Sequence, residues 1–205
     1  MKLLVLNSGG YDSTVCLEWA IKNNHSATSL FFDYNQHTLE IESKLARINA
    51  DMRNIEHLYV RVPLSWGLPI PSKQNQYVPY RNLIFFANAL SIAEAHKFDG
   101  IVTGIIKCPA GQYHADTDPK FVYWFRSQCE VAGVKFLTPL AHLTKEEVYA
   151  QGREYGIGPS DTWSCDSAEK LHGYLFKRCG KCNDCLFLKS EIAEGNFTTP
   201  VDFCE

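Results

Sequence analysis

Apolar residues along this chain follow two alternating periods. Leu3-Leu4-Val5-Leu6 is an unbroken apolar run, the pattern of a strand buried on both faces. Residues 12–24 then carry Val15, Leu17, Trp19, Ala20 and Ile21, which predicts a helix. A second strand is expected over 28–33, "TSLFFD". Leu39, Ile41, Leu45, Ile48 and Met52 recur at nearly helical spacing across 38–52, and "EHLYVRV" at 56–62 reads as a third strand. Pro63, Gly67, Pro69, Pro71 and Pro79 make 63–79 a loop or excursion. Beyond it the pattern predicts a helix over 81–97, a strand over 99–105, a helix over 118–132 and a strand over 134–138.

Local signals sharpen two helix ends. Asp118-Pro119 reads as an N-cap followed by a first-turn proline. Thr144-Lys145-Glu146-Glu147 has the form of a capping box, and Gly156 supplies the left-handed residue that closes the helix it opens. Repeated strand–helix–strand units imply an α/β fold, an open parallel sheet with helices on both faces. The expected division is an α/β domain over 1–158 and a cysteine-rich segment over 159–205 packed on it.

The junction of first strand and first helix carries the candidate chemistry. Ser8-Gly9-Gly10-Tyr11-Asp12-Ser13 has no lysine, and it lacks the spacing of dinucleotide loops. Its glycines let main-chain amides turn toward an anion, and the helix N-terminus adds a positive end. Ser8 and Ser13 can donate hydroxyl hydrogen bonds. A bare phosphate would repel Asp12, so its presence suggests an intervening magnesium ion.

Four of the eight cysteines, Cys165, Cys179, Cys182 and Cys185, fall near the C-terminus, separated by thirteen, two and two residues. Four thiolates can close a tetrahedral structural zinc site, and an iron–sulfur cluster accepts the same ligands. Cys16 and Cys129 read as core residues and Cys204 as part of a loose tail. Cys108 follows the fourth strand, and His37 and His114 fall near the expected site.

The Ser-Gly-Gly-x-Asp-Ser stretch resembles the signature of the PP-loop ATP pyrophosphatases. Within that superfamily, Phe31–Ala46, Val78–Ala95 and Phe136–Val148 resemble segments of the 7-cyano-7-deazaguanine synthase (QueC) family, over a span from Leu3 to about Lys189. Thr162-Trp163-Ser164-Cys165 resembles the segment that opens the family's four-cysteine zinc site. The resemblance implies ATP, magnesium and zinc as cofactors. It also implies 7-carboxy-7-deazaguanine and ammonia as reactants, and a homodimer. Ser8, Gly9, Gly10, Asp12 and Ser13 would hold the phosphates, with Asp33 and Tyr34 at the adenosine. Arg81 and Lys107 would stabilise phosphate or substrate carboxylate, and Tyr34 or Tyr113 would stack on the deazapurine. Cys165, Cys179, Cys182 and Cys185 would hold the zinc.

The chain departs from the family at Thr117, Asp118 and Lys120, where a Cys, an Arg and a Glu are usual. Asn35 replaces a glycine, and Asn tolerates positive φ. These changes motivate an alternative, a related ligase that joins the deazapurine acid to a protein amine in anti-phage defence. A PP-loop tRNA-thiolating enzyme using Cys108 is a second alternative, and a zinc-ribbon binding module without catalysis a third.

Composition limits the partners. Twenty Lys and Arg against 23 Asp and Glu leave a formal charge of −3, which opposes extended nucleic-acid binding. No apolar run is long enough to span a bilayer, and the chain enters a strand directly after Met1-Lys2, so a cytoplasmic protein is expected.

Overall fold

The computed structural model describes residues 1–64, 78–109, 113–170, 176–198 and 201–204. Most of the proline-rich 63–79 segment therefore lies outside the described residues. Five parallel strands form one sheet: β1 (Lys2–Leu6), β2 (Ser26–Asp33), β3 (Glu56–Arg61), β4 (Gly100–Val102) and β5 (Lys135–Leu137). Their order is β3-β2-β1-β4-β5, so the direction of strand addition reverses beside β1. Helices α1 (Tyr11–Lys22), α2 (Leu39–Met52), α3 (Arg81–Ala95) and α4 (Pro119–Val131) make the four crossovers, and α5 (Lys145–Glu154) follows the last strand. A turn of 3-10 helix (Pro159–Asp161), a small antiparallel pair β6 (Glu169–Lys170) and β7 (Phe176–Lys177), and α6 (Asn183–Ala193) follow.

β1 shows why its sequence is apolar without alternation. Leu3 and Val5 join one core with Val15 and Leu17 of α1 and Val148 of α5, while Leu4 joins another with Phe86 of α3 and Phe125 of α4. Both faces of the strand are buried, so every position needs an apolar side chain, each stabilising by roughly 1.5–3 kcal/mol. α2 shares the face of α1, since Asn49 donates to the Thr14 hydroxyl at 3.2 Å.

The helix-end signals act as expected. Asp118 caps α4 through the Lys120 amide at 2.8 Å, and Thr144 and Glu147 form a complete capping box on α5. Gly156, at φ +76°, sits just past that helix. The fourth strand is shorter than the expected 99–105. Its ladder ends at Val102, and residues 103–106 instead line a cavity. The first helix begins at Tyr11, one residue earlier than expected, with Gly10 at its N-cap.

Candidate active site

A cavity of about 370 Å³ opens beyond the carboxyl ends of β1 and β4, at the switch point of the sheet. Its polar wall includes Ser8, Asp12 and Ser13 from the loop, with Arg81 and Glu42 opposite. Leu30, Phe32, Phe85, Phe86 and Ile105 make an apolar floor suited to a flat heterocycle.

The loop is bound tightly to its surroundings. Gly9 has φ +76°, and a Cβ there would lie 2.5 Å from the Glu42 carbonyl oxygen of α2, so only glycine fits. Tyr11 anchors the other side. Its ring stacks on Tyr149 at 3.9 Å, and its buried hydroxyl donates to the Tyr149 carbonyl at 3.1 Å. Ser8 and Ser13 hydroxyls lie 3.2 Å apart, poised on the same side of the loop.

Asp12 meets a lysine that the sequence reading did not place at the site. Lys145 Nζ lies 3.2 Å from both Asp12 carboxylate oxygens and 3.3 Å from Asp184 of α6. Burial opposes the charge of Lys145, but Asp12 and Asp184 outweigh it and push its pKa above the ordinary value. Lysine therefore stays protonated at the loop. The available signal was position, because Lys145 is the first residue of a capped helix and its side chain is aimed by that helix. Lys107, the lysine expected here, is exposed and is not among the cavity-lining residues.

Arg81 opens α3 and lines the cavity. Its guanidinium donates to the Tyr34 hydroxyl at 2.9 Å, with its centre 5.4 Å from that ring. Asp116 takes the Asn82 amide at 2.8 Å and so ties down the N-terminus that carries Arg81. The Asp33 carboxylate accepts from the Asn35 amide of its own turn at 2.9 Å and from the Tyr59 hydroxyl of β3 at 2.6 Å. Asp33 itself does not line the cavity. Its neighbours Phe32 and Tyr34 do. Asn35 adopts φ 63°, the conformation for which an asparagine can stand in for glycine. Cys108, His114 and Thr117 line the mouth, whereas Cys16 and Cys129 are buried in the cores.

The four tail cysteines converge. The sulfurs of Cys165, Cys179, Cys182 and Cys185 all lie within 4.8 Å of one another, with Cys179 and Cys185 3.9 Å apart. A tetrahedron with bonds of about 2.3 Å has edges of about 3.8 Å, so the donors fit a four-thiolate metal centre. Amides of Lys181 and Cys182 point at the Cys179 sulfur at 3.4 and 3.3 Å. Burial raises the Cys179 pKa, but these amides and neighbouring thiols overcome it and bring it to about 7.

This cluster is wired to the loop. The Trp163 amide donates to the Gly9 carbonyl at 2.8 Å, and its indole donates to the Cys165 carbonyl at 3.0 Å. Buried Arg178 holds the same segment through the Pro159 and Thr162 carbonyls at 2.7 and 2.8 Å.

Sheet order, cavity and loop together define the PP-loop ATP pyrophosphatase class. Among solved structures, the U34-tRNA thiolase NcsA from Methanococcus maripaludis, with its [4Fe-4S] cluster, superposes with a TM-score of 0.57 at 15% identity, covering 95% of this chain and 67% of that one. A 4-thiouridine synthetase–RNA complex with bound ATP gives 0.52 at 20% identity, over 76% of this chain and 40% of the other. Both share the fold.

The model of the Queuosine biosynthesis protein QueC matches residues 2–68 and 70–194, and the chain belongs to the QueC family. It is 31% identical to the 7-cyano-7-deazaguanine synthase of Acinetobacter baylyi, over 98% of this chain and 95% of that protein. It is 32% identical to the Leptospira interrogans enzyme of the same name, over 94% and 87%. Against the Sulfolobus acidocaldarius synthase it is 30% identical and spans 48% of the longer chain. Among the described residues no helix is long and apolar enough to cross a membrane.

Proposed function

We propose that this protein is a cytoplasmic ligase that uses ATP to convert 7-carboxy-7-deazaguanine to 7-cyano-7-deazaguanine through the amide. The observation that carries the reading is the opening of the phosphate loop, Arg81 and an apolar floor onto one cavity, in a chain of this family. A carboxylate is a poor electrophile because its leaving group would be oxide. Its oxygen attacks the α-phosphorus of ATP, and the bond to pyrophosphate breaks. The acyl-adenylate then loses AMP to ammonia. A second ATP adenylates the amide oxygen, and loss of AMP with the nitrogen's protons leaves the nitrile.

The chain's own groups position charge and exclude water. Ser8, Ser13 and the amides after Gly9 hold the outer phosphates, and Lys145, fixed by Asp12, meets the pyrophosphate as it leaves. Arg81 offers a planar fork to a phosphate or to the substrate carboxylate. Asp12 is the carboxylate best placed to hold magnesium, which would neutralise phosphate charge. Cys165, Cys179, Cys182 and Cys185 hold a structural zinc with no open position.

Mass spectrometry of a reaction containing ATP, the carboxylic acid and ammonium tests the proposal. Nitrile, AMP and pyrophosphate are expected. No AMP from any nucleotide mixture would overturn it, and adenylate or amide that never advances would favour transfer to a protein amine. Full activity of Cys108→Ser is expected, since the proposed chemistry makes no use of that thiol.

A further inference from the structure

We propose that Asn7 is a positioning residue for the phosphate loop, and that His57 on β3 is the pH-sensitive end of a hydrogen-bond chain that supports it through Ser29. The proposal rests on the reading of this loop as the ATP phosphate site. Asn7 is 1% exposed and Ser29 is fully buried. The Asn7 side-chain oxygen accepts the Gly9 amide at 3.0 Å and lies 3.3 Å from the Ser13 hydroxyl. Its nitrogen donates to the Ala46 carbonyl at 3.1 Å and to the Ser29 hydroxyl oxygen at 3.0 Å. A main-chain donor at one end and a main-chain acceptor at the other permit one orientation of the amide. Asn7 thereby sets the plane of the Ser8–Gly9 peptide, and with it the direction of the loop.

Ser29 accepts a hydrogen bond from Asn7, and in the proposed chain its own hydroxyl donates to His57 Nδ1, 2.9 Å away. That arrangement needs a lone pair on Nδ1, and so a neutral His57 with its proton on Nε2. Protonated His57 would present a second N–H to Ser29, and the buried hydroxyl proton would lose its acceptor. The donor order from Asn7 to His57 is therefore consistent in one protonation state.

The charged groups facing His57 come from α2. They are Arg47 and Asp51, which pair with each other at 2.9 Å. On its own strand Tyr59 turns its hydroxyl to Asp33. Burial, then Arg47, lowers the His57 pKa, and Asp51 opposes them more weakly. The sign follows from linkage. A histidine depressed below its unfolded value of about 6.5 favours the folded loop above that pH, and this support is lost as pH falls through the folded value. By reciprocity, ATP binding lowers the His57 pKa further.

The test uses the full chain with its metal. Calorimetry with ATP and magnesium is run at about pH 7.5 and about pH 5.5, on either side of an ordinary histidine. Wild type is compared with His57→Gln, because the nucleotide's own titration affects both equally. The ratio of wild-type to His57→Gln Kd should rise about fivefold or more on acidification, a normal size for coupled sites. Ser29→Ala should behave like His57→Gln. Asn7→Ala should weaken binding about tenfold, or 1.4 kcal/mol, at both pH values. If Asn7→Ala does not fold, the other two variants carry the test. Nitrogen NMR of His57 should show an unprotonated Nδ1. An unchanged Kd ratio, or a protonated Nδ1 in the neutral ring, would overturn the proposal. Absence of ATP binding by wild type at any pH would sink the site reading instead, and the NMR result would still decide the hydrogen-bond chain.

Discussion

Lys145 and Asp12 act as one unit at the residue scale. Both side chains are about three-quarters buried, and Lys145 also meets Asp184 at 3.3 Å. Lys145→Met leaves two carboxylates facing each other with the cation gone. A loss of pyrophosphate release of about 10²-fold or more is expected in a coupled assay, the usual cost of removing a charge-stabilising donor. Gly9→Ala tests the loop's geometry instead. It adds a Cβ 2.5 Å from a main-chain oxygen at φ +76°, whereas Gly133→Ala, at φ +71°, meets nothing within 4 Å. Thermal melts should show a loss for the Gly9 variant well beyond the roughly 1 kcal/mol expected for backbone strain alone at Gly133. The motif itself was legible in the sequence, because glycines and hydroxyls at a strand end have few other uses. Lys145 was hidden inside a capping box, where helix-end chemistry already accounted for its neighbours. The hydrogen bonds of Asp33 to the Asn35 amide and the Tyr59 hydroxyl were not legible either, because the second partner is on another strand.

Two aspartates near the altered segment separate at the scale of elements. Asp118 caps α4 from a partly exposed position, and Asp118→Ala should cost about 1 kcal/mol of stability while leaving the KM for substrate unchanged. Asp116 is 6% exposed and reaches across to the N-terminus of α3, where Tyr80 at φ 52° provides no side-chain cap. Asp116→Ala frees the turn that aims Arg81, so steady-state kinetics should show a raised KM as well as lower stability. The Asp118-Pro119 pair announced the first role, because capping is local. Nothing local marks Asp116, whose partner lies 34 positions away.

The cysteine tail and the loop form one mechanical assembly across the whole molecule. Trp163 touches Gly9 with its amide and Cys165 with its indole, so the cluster braces the backbone that would hold phosphate. Elemental analysis should find one zinc per chain, and an absorbance band near the visible would indicate iron–sulfur instead. Chelation should lower the melting temperature and weaken ATP binding together. Metal removal that melts the tail but leaves ATP affinity intact would break the proposed link between them.

Periodicity and punctuation in the sequence determined the strand and helix order through β5, both capped helix ends, the glycine-rich loop after the first strand and the grouping of four tail cysteines. Each of these depends on neighbours within a turn or two, or on a short spacing along the chain. Tertiary structure alone decided which lysine meets the loop, where Asp33 spends its charge, and how Asn7, Ser29 and His57 join across three adjacent strands. Those choices depend on sheet order and register, which bring together side chains that no local pattern relates.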